Sequence, residues 1–375
     1  MRKVMFGLLI LSLIGGVAWA GDVPSAPDPT GAAYGARPLA MGGAFVGIAD
    51  DTNAVFTNPA GLAKIKDWSL TSMSTQILQK VDYKLAGATY KWGIGTLGVG
   101  YVGTSAPCGY KYNEYGTQES TSPIAYTSNM LLLSYGLDMA NVMDMDADMG
   151  KVAVGGTLKL ISKGFTEIDE ATASGMDIDL GMTFEPKDQP FTLGAAVKNI
   201  ADGGSISWQS GSKENLERSM KVGGAVKILG DGGYFNTLPG NLLASLDMEQ
   251  LGEGKPAILH AGTEYKPIKY LAIRVGLDQD PVSASETITS LTAGVGVNFM
   301  GFQFDYAYRA NPDAAELSNH YFSLSFAPEE INAPVKEETK EQVKVEKNTK
   351  VTEKGKKTTS PNAYELPEEY KNISF

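Results

Sequence analysis

Cys108 is the sole cysteine, so no intramolecular disulfide can staple this chain. Histidine is nearly as scarce: His260 and His320 stand alone, and neither falls into a nucleophile–base or metal-ligand spacing. The sequence therefore reads as a non-enzyme with no cofactor. Positive charge is also in deficit. The formal net charge is -11, and removing Arg2 and Lys3 with a leader makes it -13, which argues against nucleic acid and against a basic membrane-surface patch. After residue 20 no apolar run is long enough for a membrane helix, yet 43% of the residues are hydrophobic, which suits a barrel whose strands are apolar on alternate positions.

The leader is explicit. Arg2 and Lys3 precede an apolar core from Val4 to Val17 and a small-x-small site at Ala18-Trp19-Ala20, the pattern of a secretory signal peptide for Sec export. Beyond it, Ala40 to Leu62 is the one long stretch near the start that reads as helical rather than alternating. Pro38 suits a first helical turn, with Leu39, Phe45, Val46 and Ile48 on one apolar face. Asn58 and Pro59 read as the N-cap and first position of a second short helix carrying Ala60 and Leu62. Gly42, Gly43 and Gly61 allow close backbone approach. A compact, glycine-rich segment between a leader and many amphipathic strands predicts a hatch seated in a barrel, against the alternative of a helical hairpin on a soluble β-domain.

From Ser69 onward the residues alternate. Met176, Ile178, Leu180, Met182 and Phe184 oppose Asp177, Asp179, Gly181 and Thr183; Phe302, Phe304, Tyr306 and Tyr308 oppose Gln303, Asp305, Ala307 and Arg309. About fourteen such runs predict an all-β, antiparallel transmembrane barrel. Connections alternate between tight (92 to 94, 186 to 189, 267 to 268, 300 to 301) and longer (105 to 129, 201 to 218, 279 to 287, 310 to 318). Met139 to Met149 and Gly230 to Pro239 are long for periplasmic turns. Aromatics such as Phe302 and Tyr308 on the outer face argue against a soluble β-sandwich.

Four segments would result: signal peptide 1–20, hatch 21–68, barrel 69–326, and a Lys/Glu-rich tail 327–375 whose composition predicts disorder on the periplasmic side. The run from Met41 to Gly47, the Asp50-Asp51 pair and the box Asn58-Pro59-Ala60-Gly61-Leu62 together resemble the PorV/PorQ family of outer-membrane barrels, relatives of the FadL-type transporters. The likeness continues through Gly175 to Phe184, Leu193 to Asn199 and Gly262 to Gly276, and ends at Phe326, where Phe322 and Leu324 give the pattern of a barrel assembly signal. It implies an outer-membrane barrel in lipid, with two functions in contention. One is a shuttle that receives secreted cargo from secretion-machinery proteins of a type IX kind. The other is a transporter of hydrophobic small molecules through a hatch.

Other motifs weigh little. Gly93, Gly95 and Gly98 satisfy a dinucleotide pattern but sit between strands, so a hairpin is expected. Asp144, Asp146 and Asp148 imitate the start of a calcium loop, but Met149 occupies the sixth place and Gly155 the twelfth, where glycine and glutamate are needed. Asp177 and Asp179 could form a carboxylate pair, yet with Lys198, Asp247, Arg274, Asp305 and Arg309 they read better as inward charges that pair across a lumen. Tyr110, Tyr112, Tyr115 and Tyr126 offer a loop surface for a partner, or anchors in the outer leaflet.

Overall fold

The computed structural model describes residues 25–26, 28–32, 34–77, 80–120, 122–143, 149–201, 205–252, 254–283 and 285–328. The leader over 1–20, the Asp144, Asp146 and Asp148 turn, and the tail from 329 onward lie outside the described residues.

Alternation fixes the strands, since side chains two apart share a face. The first seven are β1 (Trp68–Ile77), β2 (Val81–Trp92), β3 (Gly95–Gly109), β4 (Ile124–Asp138), β5 (Lys151–Phe165), β6 (Ile168–Glu185) and β7 (Phe191–Lys198). The others are β8 (Ser219–Leu229), β9 (Asn241–Leu251), β10 (Ile258–Ile268), β11 (Leu271–Pro281), β12 (Thr287–Phe299), β13 (Phe302–Arg309) and β14 (Asn319–Phe326). Each pairs antiparallel with its neighbour, β7 pairs with β8, and β14 returns to β1 through Phe326↔Leu70 to Phe322↔Ser74, which closes a fourteen-stranded barrel. Closure leaves no strand edge unpaired. Between β7 and β8 the chain adds two short strands, Ile206–Trp208 and Lys213–Leu216; the first pairs with upper β6, and the second takes Ser25–Ala26 as a parallel partner.

The outer face is apolar all round. Leu97, Val99, Leu131, Leu133, Met176, Ile178, Leu180, Leu246, Val275, Leu277, Val297, Phe304 and Leu324 are all exposed on it. A water-facing wall would not carry so continuous an apolar belt. Trp68, Tyr90, Trp92, Phe299, Phe302 and Phe326 gather at one rim, where the Trp68 and Phe302 rings lie 5.2 and 4.7 Å from that of Phe326. This is the rim of the connections at 93–94, 186–190, 269–270 and 300–301, called here the turn end. The opposite, loop end has the long connections 110–123 and 199–218, but also a tight one at 166–167.

Three expectations need correction. The helix does not run from Ala40 through Ile48: it spans Ala36–Ala40 and stops because Gly42 and Gly43 take φ of +63° and +80°. Only short 3-10 helices follow, at Thr52–Val55 and Pro59–Lys64. The loop expected over 105 to 129 is shorter, because β3 and β4 stay paired up to Gly109↔Ile124. Tyr126 is consequently a strand residue, its ring 5.2 Å from that of Phe165.

Candidate functional site: a plugged lumen

Residues 34–49 are buried without a break, and the chain from Ala36 to Lys64 makes a circuit of the inner wall. Ala36–Ala40 packs on β11 to β14, Thr52–Val55 on β1 to β4, and Pro59–Lys64 on β3 to β6. Strand glycines make this close seating possible. A Cβ on Gly181 would lie 2.0 Å from Asn58 Oδ1, one on Gly136 2.4 Å from the Pro59 carbonyl, and one on Gly262 2.3 Å from the Met41 carbonyl. The glycines that seemed merely small in the alternation are the seat of the plug.

A plug without ladder partners satisfies part of its buried backbone through its own turns and needs side chains for the rest. The wall supplies them. Asp247 Oδ2 on β9 accepts from the Phe45 and Val46 amides at 2.8 and 2.9 Å. Ser245 and Thr292 hydroxyls donate to the Ala44 and Ala40 carbonyls at 2.8 and 3.1 Å. Lys198 Nζ donates to the Phe56 carbonyl at 2.6 Å. Asn58 caps the Pro59–Lys64 helix through Ala60 N, while its Nδ2 donates to Val46 O within the plug and to Met182 O on β6. Asp51 caps the Thr52–Val55 helix through Asn53 N. Gly42, Gly43, Phe45, Pro59, Ala60, Gly61 and Leu62 are buried plug residues, Gly61 so tightly that a Cβ would lie 1.9 Å from the Ala49 carbonyl.

The inward charges are organised differently from the expected pairing across an open lumen, because the plug occupies that space. They pair with near strands or with the plug itself. Arg37 of the plug bonds Asp50 at 2.6 Å, Asp51 at 2.8 Å and Glu264 of β10 at 3.0 Å; Arg274 bonds the same Glu264 at 2.6 Å and Asp305 at 2.7 Å. Burial works against the Arg37 charge, but Asp50, Glu264 and Asp51 raise its pKa well above the ordinary value. On the other side Lys159 bonds Asp28 and Asp179, each at 2.9 Å. Burial pushes the Asp28 carboxyl up, and the charges of Lys159 and Lys198 overcome this and hold it well below the usual carboxylate range. The Asp177 carboxylate accepts from the Ala201 and Ile178 amides and the Ser205 hydroxyl. Arg309 bonds Asp278 at 2.7 Å and also Asp280.

Sequence reasoning missed His260 and Arg37. His260 Nδ1 lies 2.8 Å from Asp278 and 3.0 Å from the Gly42 carbonyl, and Nε2 lies 3.0 Å from Glu249, which also bonds Lys221 at 2.7 Å. His260 and Glu249 sat on the inward face of their strands, but nothing in the alternation showed that the plug would reach them. His320 faces out, its Nδ1 2.9 Å from the Tyr306 hydroxyl. Tyr110, Tyr112 and Tyr115 are exposed at the tip of the β3–β4 hairpin.

At the loop end the plug leaves a cavity of about 470 Å³. Phe45 and Val46 belong to its plug side, Leu251, Ile258 and Ile288 to its apolar wall, and Lys198, Lys221, Glu249, His260, Asp278 and Arg309 to its polar wall.

The sequence matches no family model and no curated protein. Solved structures do match. The Ralstonia pickettii toluene transporter TbuX is 13% identical with a TM-score of 0.51, the match covering 78% of this chain and 98% of that one. The CymD monoaromatic hydrocarbon channel is 10% identical with a TM-score of 0.50, covering 82% and 97%. Likeness at such low identity is one of fold: a closed antiparallel β-barrel. The PorV/PorQ resemblance and its secretion role draw no support from these matches.

Proposed function

We propose that this is an outer-membrane channel for small, largely apolar molecules, with the segment from Tyr34 to Lys64 as its gate. One observation carries the reading: the lumen is sealed by the chain's own N-terminal segment, and a molecule-sized cavity adjoins the seal. Pockets for small ligands fall in the range of roughly 300–1,000 Å³. The apolar outer belt favours a wall in lipid, and the short connections of one rim favour the turn end toward the periplasm and the loop end outside. Hydrocarbon transport by the similarly folded TbuX and CymD agrees with this reading. Passage then requires the plug to shift, since residues 34–49 and 52–56 are buried within the barrel. Exposed tyrosines at the β3–β4 tip serve as outer-leaflet anchors here.

A reversible lock tests the gate. Thr52 of the plug and Ser69 of β1 place their hydroxyl oxygens 2.5 Å apart, so cysteines at both positions are placed to bridge. In a Cys108→Ser background, oxidised Thr52→Cys/Ser69→Cys protein should slow uptake of the hydrophobic fluorophore N-phenylnaphthylamine by intact cells. Reductant should restore it. Equal uptake by oxidised and reduced protein would remove the gating role.

A further inference from the structure

The two walls of the loop-end cavity specify more than size. Its volume of about 470 Å³ is some three times the roughly 150 Å³ dry cavity that holds benzene. A bare hydrocarbon there would lie against Lys221, Glu249, His260, Asp278 and Arg309 and strip them of water with nothing given in return. Those groups already satisfy one another: Lys221 with Glu249, His260 between Glu249 and Asp278, and Arg309 with Asp278.

Lys198 differs: among the described residues its ammonium, with three donors, makes one hydrogen bond, and that to a neutral carbonyl, the one of Phe56. Asp28 and Asp179 both bond Lys159, so Lys198 has acceptors to gain. An incoming carboxylate would face Asp28 and Glu249, which line the same cavity. A neutral acceptor oxygen meets no such repulsion. It fills the free donors of Lys198 while the remainder of the molecule covers Ile258, Ile288 and the plug side at Phe45.

We propose that this cavity binds a small, uncharged molecule pairing an apolar ring or chain with a hydroxyl or carbonyl oxygen, and that Lys198 Nζ receives that oxygen. The inference rests on the channel reading and names its substrate class, which differs from a hydrocarbon and from an organic anion.

Ile288 lines the cavity and is only partly buried, so a cysteine there reports occupancy by its rate of alkylation. The mature protein carrying Ile288→Cys and Cys108→Ser is placed in nanodiscs and challenged with benzyl alcohol, toluene or benzoate. Benzyl alcohol should protect the thiol at a concentration about tenfold lower than either of the others, the difference that one or two hydrogen bonds provide. Lys198→Met should abolish that preference, while Lys198→Arg, which keeps donors, should retain it. Toluene or benzoate protecting as well as benzyl alcohol would overturn the assignment, and so would protection by none of them. The Thr52–Ser69 lock reads gating without reference to Lys198, so the channel reading and this assignment fail separately.

Discussion

Asp247→Ala is the sharpest test of how the plug is held. The Asp247 carboxylate is fully buried, and its Oδ2 is the acceptor for two successive plug amides, those of Phe45 and Val46. Truncation strands both N–H groups where the plug is 1% exposed at each residue. An unsatisfied buried donor costs about 1–3 kcal/mol, so the local loss is roughly 2–6 kcal/mol. Part of this is offset by removing a buried charge whose Oδ1 has no hydrogen-bond partner among the described residues. Before that offset the low end makes the plug's opening equilibrium about thirtyfold more favourable, since ~1.4 kcal/mol is a factor of ten. Amide hydrogen exchange at Phe45 and Val46 should quicken by about tenfold or more in detergent-solubilised protein. The barrel should stay folded and heat-modifiable on gels, because β9 keeps its ladder with β8 and β10. Asp247→Asn should give a smaller gain, its amide placing an NH2 where Oδ1 now finds no partner. Unchanged exchange in Asp247→Ala would refute the view that this carboxylate holds the turn.

Asn58→Ala should lose the cap, about 1 kcal/mol, together with the bonds to Val46 O and Met182 O, and hydrogen exchange from Ala40 to Leu62 should rise with the barrel intact. Arg37→Met should loosen the plug by less than the ~3–5 kcal/mol of an uncompensated buried ion-pair break, because Arg274 and Lys266 still neutralise Glu264; denaturant unfolding of plug and barrel followed separately would measure it. Asp28 has a depressed pKa, so its contribution is complete above its unfolded value of about 4 and is lost as pH falls below that toward the folded value. Protection of residues 28–32, corrected for the intrinsic pH dependence of amide exchange, should therefore fall in acid, and Asp28→Asn should remove that pH dependence; an identical acid profile in the variant would exclude Asp28 as the cause.

Strand positions were legible because one rule, alternation, governs all fourteen. Met176 to Phe184 could face only lipid or only lumen, and the Asp177, Asp179 and Gly181 set decided which. The plug was legible in place but not in form. Its apolar residues at Leu39, Phe45, Val46 and Ile48 match a helical period, yet Gly42 and Gly43 at positive φ break the helix between them. Local pattern lost to tertiary fit: a Cβ on Gly42 would stand 2.4 Å from the Leu277 carbonyl, so the backbone there is shaped by the wall and not by its own periodicity.

The pairing of inward charges was illegible for a related reason. A strand sequence tells which side chains enter the lumen, and an empty lumen would let them meet across it. A filled one confines Lys159, Arg274 and Arg309 to near strands and turns Asp247 and Lys198 toward the plug backbone. The plug is consequently held in two ways. Ala36 to Val46 is bound to β9, β10 and β12 through carboxylates, an imidazole and hydroxyls, which are directional and are weakened when a partner is removed. Val55, Phe56 and Leu62 press on Gly87, Gly98, Gly100 and Gly136, where any added methyl group intrudes, while Lys198 and Asn58 tie this half to the wall by hydrogen bonds. Polar bonds thus hold both halves of the seal, and the strand glycines set how closely each can sit.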